Sequence, residues 1–341
     1  MGSRAILDRP VKGFGTVFEP YVGSNRSEVS NLLTGTRTIR KRDAMSPLRY
    51  PGSKRKLLPA IQQLVDANIP MPELFVEPFC GGSSVALGLL EVNAVKRVIL
   101  ADLDPLIASF WYEATQNTER LIEDMMLEPV TVERWDYWRT RKPRTSRNQA
   151  LKCIFLNRTT FSGIIRGDAG PIGGRAQTSE YTIACRFDKQ AIARRIRTVG
   201  RMFDDGRIIS VHNTRWQDTI KYAESVATKY PRDATVLYID PPYIEKASRL
   251  YNFPFANQDH HDLATYLTEE TAHRWILSYD KEPLVVDLYQ NKPNVVEFNV
   301  IHHYTMRGKR RNPVPAREVI FTNLPNDPNC NVSRNENERH P

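Results

Sequence analysis

The sharpest chemical signal in the chain is Asp240-Pro241-Pro242-Tyr243, which closes the unbroken apolar run Val236-Leu237-Tyr238-Ile239. Two consecutive prolines end a strand and fix φ at roughly −65°, so the backbone there is stiff. Pro241 has no N–H but keeps its carbonyl. A rigid carbonyl beside an aspartate offers two acceptors aimed one way, which suits an exocyclic amino group with its two N–H donors. Tyr243 adds a flat face, and stacking a base on an aromatic ring contributes about 1–3 kcal/mol. The bland alternative is a strand-ending turn whose aspartate serves only as a cap.

A second cluster, Glu77-Pro78-Phe79-Cys80-Gly81-Gly82-Ser83-Ser84, joins the short apolar run Leu74–Glu77 to a helical pattern. Paired glycines let the backbone turn tightly and approach a ligand. Asp102 ends the next apolar run, 102 − 81 = 21 residues after the first glycine. An acid at that offset suits ribose hydroxyls, so a nucleoside-containing cofactor is expected at the strand end. The turn is not GxGxxG, and Glu77 is poorly placed for a pyrophosphate. An acid there favours a cation, and S-adenosylmethionine carries an ammonium and a sulfonium. Neither GxxxxGK[ST] nor GxSxG occurs. His260-His261, flanked by Asp259 and Asp262, reads as a helix start with solvated side chains, because neighbours on a helix diverge by about 100°. His302-His303 lies at a strand end. No metal site is expected.

These groups need a scaffold. Strands are expected at Leu74–Glu77, Arg97–Asp102, Arg207–Val211, Thr235–Ile239, Arg274–Leu277, Val295–Val300 and Glu318–Thr322. Helices fit Ser83–Glu91, Pro105–Asn117, Trp216–Lys229 and His260–Thr268. Such alternation predicts an α/β fold with a mostly parallel sheet. Residues 113–204 break the rhythm with a helical Thr118–Glu128, the aromatics Trp135, Tyr137 and Trp138, a glycine-rich piece and a helix at Lys189–Gly200. They read as an inserted, substrate-facing subdomain. Residues 1–45 read as a flexible basic arm and 326–341 as a disordered tail.

At 341 residues the chain suggests about two domains, or one with a large insert. Its 40% hydrophobic and 26% charged residues exclude wholesale disorder. No apolar run approaches the ~18 residues of a membrane span, and residues 1–15 lack the apolar core of a secretory signal. Four cysteines without a CxxC pair argue against a zinc site or a disulfide framework, and point to a reducing, cytoplasmic setting. The 48 Lys and Arg exceed the 39 Asp and Glu, a net +9 that is unevenly spread. Residues 1–56 hold twelve basic side chains against four acidic, and residues 139–166 hold eight and none. Arg307, Lys309, Arg310, Arg311 and Arg317 form a third run. Any one run is ordinary solvated surface; three together favour a polyanion.

In order along the chain, Tyr50-Pro51-Gly52-Ser53-Lys54, Phe75 to Ser83, Ala101-Asp102-Leu103-Asp104, Phe155-Leu156-Asn157-Arg158, Leu237 to Tyr243, and Arg317 to Phe321 resemble the D12 class of DNA adenine-N6 methyltransferases, to which the Dam enzymes belong. The resemblance spans about residues 46–325. It implies a Rossmann-like class I methyltransferase core, 46–112 with 205–325, and a largely helical target-recognition insert, 113–204. S-Adenosylmethionine would be held by Tyr50, Lys54, Glu77, Pro78, Phe79, Gly81, Gly82, Ser83, Asp102 and Asp240, leaving S-adenosylhomocysteine, with no metal required. Asp240, Pro241, Pro242 and Tyr243 would be catalytic. Asn157, Arg158, Phe161, Arg166 and Arg186 would lie near double-stranded DNA.

The implied reaction is an in-line displacement on adenine N6, with the target nucleotide extruded from the duplex, Tyr243 stacked on it and Phe253 or Phe255 closing over it. Such an enzyme would work on DNA in a prokaryotic or phage-infected cytoplasm, with no membrane partner. A cognate restriction nuclease or defence-system protein is a candidate companion. Thr182–Phe187 replaces the site-reading hairpin of Dam, and Gly170–Arg175 is extra, so no GATC target is carried over. Two other readings compete: a catalytically silent DNA-binding module, and the same chemistry on RNA or another planar amino group. The recognised sequence and the oligomeric state are not written in the chain.

Overall fold

The computed structural model describes residues 16–17, 46–50, 52–166, 169–244, 253, 255–280, 282–303 and 315–325. The expected arm at 1–45, apart from 16–17, and the expected tail at 326–341 lie outside them. The strands are β1 (Thr16–Val17), β2 (Leu74–Glu77), β3 (Val98–Ala101), β4 (Ile208–Asn213), β5 (Thr235–Ile239), β6 (Arg274–Asp280), β7 (Val296–His303) and β8 (Pro315–Thr322). They form one sheet in the order β1-β4-β3-β2-β5-β6-β8-β7. β4, β3, β2, β5 and β6 run parallel, while β8 lies antiparallel to both β6 and β7.

Every residue of β2, β3 and β5 is buried, as expected of parallel strands covered on both faces. On one side of the sheet lie α1 (Leu58–Asn68), α2 (Ser84–Glu91) and α3 (Pro105–Gln116), which share a core with Phe75, Val98, Leu100, Val236, Tyr238 and Ile276. On the other lie α8 (Trp216–Ser225), α9 (Asn257–Thr265) and α10 (Pro283–Tyr289), packed on Leu74, Val76, Ile99, Leu237, Ile239 and Leu277. The alternation of strand residues between the two cores is the period-2 geometry of a strand.

The crossover from β3 to β4 carries α3, α4 (Thr118–Leu127), α5 (Val132–Thr140), α6 (Ser146–Thr159) and α7 (Lys189–Asp204). In α7 the apolar residues Ile192, Ala193, Ile196, Val199 and Gly200 fall on one buried stripe and arginines on the other, and Asp188 caps the start by accepting the Ala191 N–H. α6 is buried almost all round towards its end, so it runs through the middle of the helical layer. The insert has no core of its own: Trp135, Trp138, Ile154, Phe155 and Ile196 belong to the same cluster as α1 and α2.

The chain leaves β2 for β3 and β4 on one side and returns to β5 on the other, so the strand order reverses between β2 and β5. In open α/β sheets, ligands bind beyond the carboxyl ends of the strands at such a switch point. Glu77 ends β2 and Asp240 follows β5.

Candidate active site

A cleft open to solvent lies at this switch point. Tyr50, Lys54, Glu77, Phe79, Gly81, Gly82, Ser83, Asp102, Asp240 and Pro242 all line it. A neighbouring hollow shares Phe79, Leu103, Phe253 and Phe255 with it and adds Pro78, Thr214 and Trp216.

The glycine turn is held from three sides. Trp111 of α3 donates its indole N–H to the Gly81 carbonyl at 2.8 Å. Asp102 accepts the Gly81 N–H at 2.9 Å and the Asp104 N–H, also at 2.9 Å. Asn213, at the end of β4, donates to the carbonyls of Asp102 and Leu103 at 3.0 Å. Gly81 has φ +42°, and a Cβ there would stand 2.7 Å from the Tyr50 ring. Glycine is therefore required both by the backbone and by the aromatic ring laid across it.

Glu77 is 3% exposed, and Ser83 donates its hydroxyl to Oε2 at 2.9 Å. Burial pushes its carboxyl well above the usual carboxylate range, against the pull of Ser83. Burial, helped by nearby Asp104, pushes Asp102 up to about 7. Both Asp102 oxygens already hold backbone N–H groups, and each keeps a further lone pair.

Lys54 departs from expectation. Its ammonium is 2% exposed and donates to Asp240 Oδ1 at 2.6 Å, to the Tyr243 hydroxyl at 2.7 Å and to the Gly52 carbonyl at 3.4 Å. All three hydrogens have acceptors inside the protein, the carboxylate of Asp240 among them. Tyr243 differs as well. Its ring is 5% exposed, packed on Gly52, with the Lys54 ammonium 4.6 Å from its centre. The expected open face for a stacked base is covered, because the buried cation needs both the hydroxyl and the ring. Phe79 and Phe255 meet edge to face at 5.4 Å, and Phe253 is 37% exposed beside them.

Asn157 and Arg158, expected against DNA, are buried in α6. Asn157 accepts the Arg49 N–H at 2.7 Å and donates to the Arg49 and Gly163 carbonyls at 3.1 Å. Arg158 donates to the Pro47 carbonyl, and Arg195 of α7 to the Ser46 carbonyl at 3.5 Å. The expectation of DNA contact is corrected for both: they clamp the segment that leads into Tyr50 and Lys54. Phe161 and Arg186 are exposed and Arg166 half-buried. His260, expected in solvent, is 1% exposed and bonded to the Tyr279 hydroxyl at 2.7 Å. Among the described residues no cluster of His, Cys, Asp or Glu could hold a metal ion.

Sequence reasoning missed Trp111, Asn213, Ser278 and the role of Tyr238. The last two share one clue, a polar group in a strand otherwise filled with large apolar residues.

An acid-walled cleft thus lies at the switch point of this sheet, with Asp240 and Pro242 of the Asp-Pro-Pro-Tyr segment in its lining. Residues 50–308 match the family model described as D12 class N6 adenine-specific DNA methyltransferase, and the chain belongs to that family. It is a DNA adenine-N6 methyltransferase, and methyl transfer in this family uses S-adenosylmethionine. Type II methyltransferase M.MjaIII of Methanocaldococcus jannaschii is 22% identical over 219 residues, 58% of this chain and 68% of that protein. The solved rRNA methyltransferase aviRa of Streptomyces viridochromogenes aligns at 15% identity and a TM-score of 0.33, covering 81% of this chain and 87% of that one, a likeness too slight to build on.

Proposed function

We propose that the enzyme methylates one fixed DNA sequence, with Asp240 receiving the target amino group and Glu77 the cofactor's ammonium. The observation that carries this reading is the state of Asp240. Its Oδ1 is occupied by Lys54 and Ser278, while Oδ2 has no partner among the described residues and the side chain lines the cleft. S-Adenosylmethionine, when bound, supplies a methyl group on a sulfonium. Glu77 balances positive charge, Asp102 accepts from ribose hydroxyls, and Tyr50 closes over the glycine turn with Phe79, Gly82 and Ser83. Asp240 Oδ2 and the Pro241 carbonyl accept the two amino hydrogens of an adenine turned out of the duplex. Those bonds favour a pyramidal nitrogen with a freed lone pair, and they strengthen as the transition state forms. Phe253 and Phe255 are the groups on hand to cover the base.

The insert, 113–204, would read the DNA, and 46–112 with 205–325 would perform the chemistry. Phe161 is 67% exposed and Tyr181 57%, and both project from the insert. Arg49, Arg55, Arg158, Arg186, Arg194 and Arg195 repel one another at the seam between insert and core, a cationic zone suited to phosphates. By analogy with its relative, a type II modification role beside a cognate nuclease, in the cytoplasm, is the biological setting this reading favours.

Incubation with labelled S-adenosylmethionine and duplex DNA, followed by mapping of the modified base, tests the proposal. N6-methyladenine at a constant sequence is expected; label confined to RNA or to cytosine would overturn it. The acids give a further expectation. With the cleft empty, burial holds Asp102 at about 7 and pushes Glu77 well above the usual carboxylate range; a cation at Glu77 and hydroxyls donating to Asp102 would favour the ionised forms. A group whose pKa falls on binding makes affinity rise with pH until it is ionised. Cofactor affinity should therefore weaken from about pH 8 to about pH 6, with proton release on binding measurable by calorimetry in buffers of different ionisation enthalpy. In Glu77→Gln the released proton should diminish and affinity should drop about tenfold or more.

A further inference from the structure

We propose that Ser278 and Tyr238 are positioning residues for the methyl transfer, forming a buried hydroxyl relay that fixes which oxygen of Asp240 faces the cleft. The inference rests on Asp240 as the acceptor of the amino group. Ser278 is fully buried in β6, between Leu277 and Tyr279 and two residues on from Ile276. A hydroxyl in such a strand is costly unless it is bonded. It is bonded twice: Ser278 Oγ lies 3.2 Å from Asp240 Oδ1 and 2.9 Å from the Tyr238 hydroxyl. The serine has one hydrogen and gives it to the carboxylate, so Tyr238 must donate to Ser278. The relay runs from Tyr238 through Ser278 to Asp240 Oδ1.

Register explains why these groups meet. Ile239 pairs with Leu277 across β5 and β6, so the next residues, Asp240 and Ser278, stand side by side. Tyr238 is two residues before Asp240 and therefore on the same face. Glu77 falls on that face too, one place past the Val76–Leu237 pair.

An aspartate turns easily about its last torsion, which has a broad two-fold profile. Lys54 alone would not stop this, because a long flexible ammonium can follow either oxygen. A short hydroxyl fixed to the sheet cannot. With Ser278 and Lys54 both on Oδ1, rotation is blocked and Oδ2 is left to the substrate. Tyr238 in turn keeps the serine hydroxyl aimed and polarised. Its ring is braced by stacking on Phe75 at 5.8 Å.

The test is steady-state kinetics of Ser278→Ala, Ser278→Thr and Tyr238→Phe, each shown folded by near-UV circular dichroism. Ser278→Ala should lose about 10- to 100-fold in kcat, with KM for S-adenosylmethionine and for DNA nearly unchanged. The acid limb of its pH–rate profile should move to higher pH, since the lost hydrogen bond favoured the ionised carboxylate. Ser278→Thr keeps the hydroxyl and should recover most of the rate. Tyr238→Phe removes one oxygen and should show a smaller drop with the same shift, and it carries the test if Ser278→Ala does not fold. Wild-type kcat and an unmoved pH profile in the folded variants would overturn the relay, as would a loss of thermal stability with no loss in kcat. Asp240→Ala, run beside them, separates the two ideas: activity surviving there would remove Asp240 itself from the mechanism.

Discussion

Asp240→Ala should lower methyl transfer by about 10³-fold or more, while binding of S-adenosylmethionine and of duplex DNA persists. Asp240 sits on the cleft wall with one oxygen held by Lys54 and Ser278. Adenine N6 is a poor nucleophile because its lone pair is shared with the ring, so the acceptors that free that lone pair act mainly in the transition state. In the proposed reading the cofactor's ammonium and ribose would meet other groups, Glu77 and Asp102, and the insert would face the DNA. The variant should therefore show a fall in kcat with modest change in either binding constant. Label incorporation together with fluorescence anisotropy on a target duplex would read both quantities. Methylation at the wild-type rate would show that the proline-stiffened ledge does not carry the chemistry. A stability cost should accompany the loss, because Lys54 would remain buried without its carboxylate; breaking such a pair typically costs about 3–5 kcal/mol.

The second large effect is expected at Lys54. Lys54→Met keeps the volume of the side chain and removes its charge, leaving Asp240 in the same buried place. Destabilisation of about 3–5 kcal/mol should follow. Its pH dependence has a defined sign. In the wild type, Asp240 holds the Lys54 ammonium above its ordinary pKa despite burial, so the lysine's share of stability is complete below the unfolded lysine value and declines only in strong alkali. In the variant, burial acts on Asp240 with only Ser278 to oppose it, and its carboxyl moves further above its ordinary range. A carboxyl that binds its proton more tightly folded than unfolded loses stability as pH rises between those two values. The melting-temperature gap between wild type and Lys54→Met should therefore widen from mildly acidic to mildly alkaline pH. Activity should fall as well, with partial recovery at higher pH as Asp240 ionises. A gap that stays constant with pH would mean that Lys54 acts through packing alone.

Much of this was legible in the chain. Leu74–Glu77 and Thr235–Ile239 read as buried strands and have those bounds. Other elements were found with shifted ends: the helix expected over Trp216–Lys229 stops at Ser225, and the strand expected to end at Leu277 runs on to Asp280. That extension matters, because it brings Ser278 into the sheet. The helices α1, α5, α6 and α10 were not anticipated. α6 in particular is buried almost throughout, so its sequence lacks the polar face that marks a surface helix. The same burial misled the reading of Asn157 and Arg158, whose polar ends look outward in sequence but bond to backbone carbonyls inside the protein.

Local order by itself determined that a stiff acceptor pair follows one strand and a glycine turn with an acid follows another, since prolines, glycines and apolar runs act on their immediate neighbours. The partner of Asp240 was decided elsewhere. Lys54 and Ser278 lie 186 and 38 residues away in sequence, and only strand pairing and the fold of the segment clamped by Asn157 bring them within bonding distance. A side chain's neighbours across a sheet depend on register, and the charge state of a buried acid depends on those neighbours. Both are properties of the assembled core, where water is absent and every polar group must find its partner within the protein.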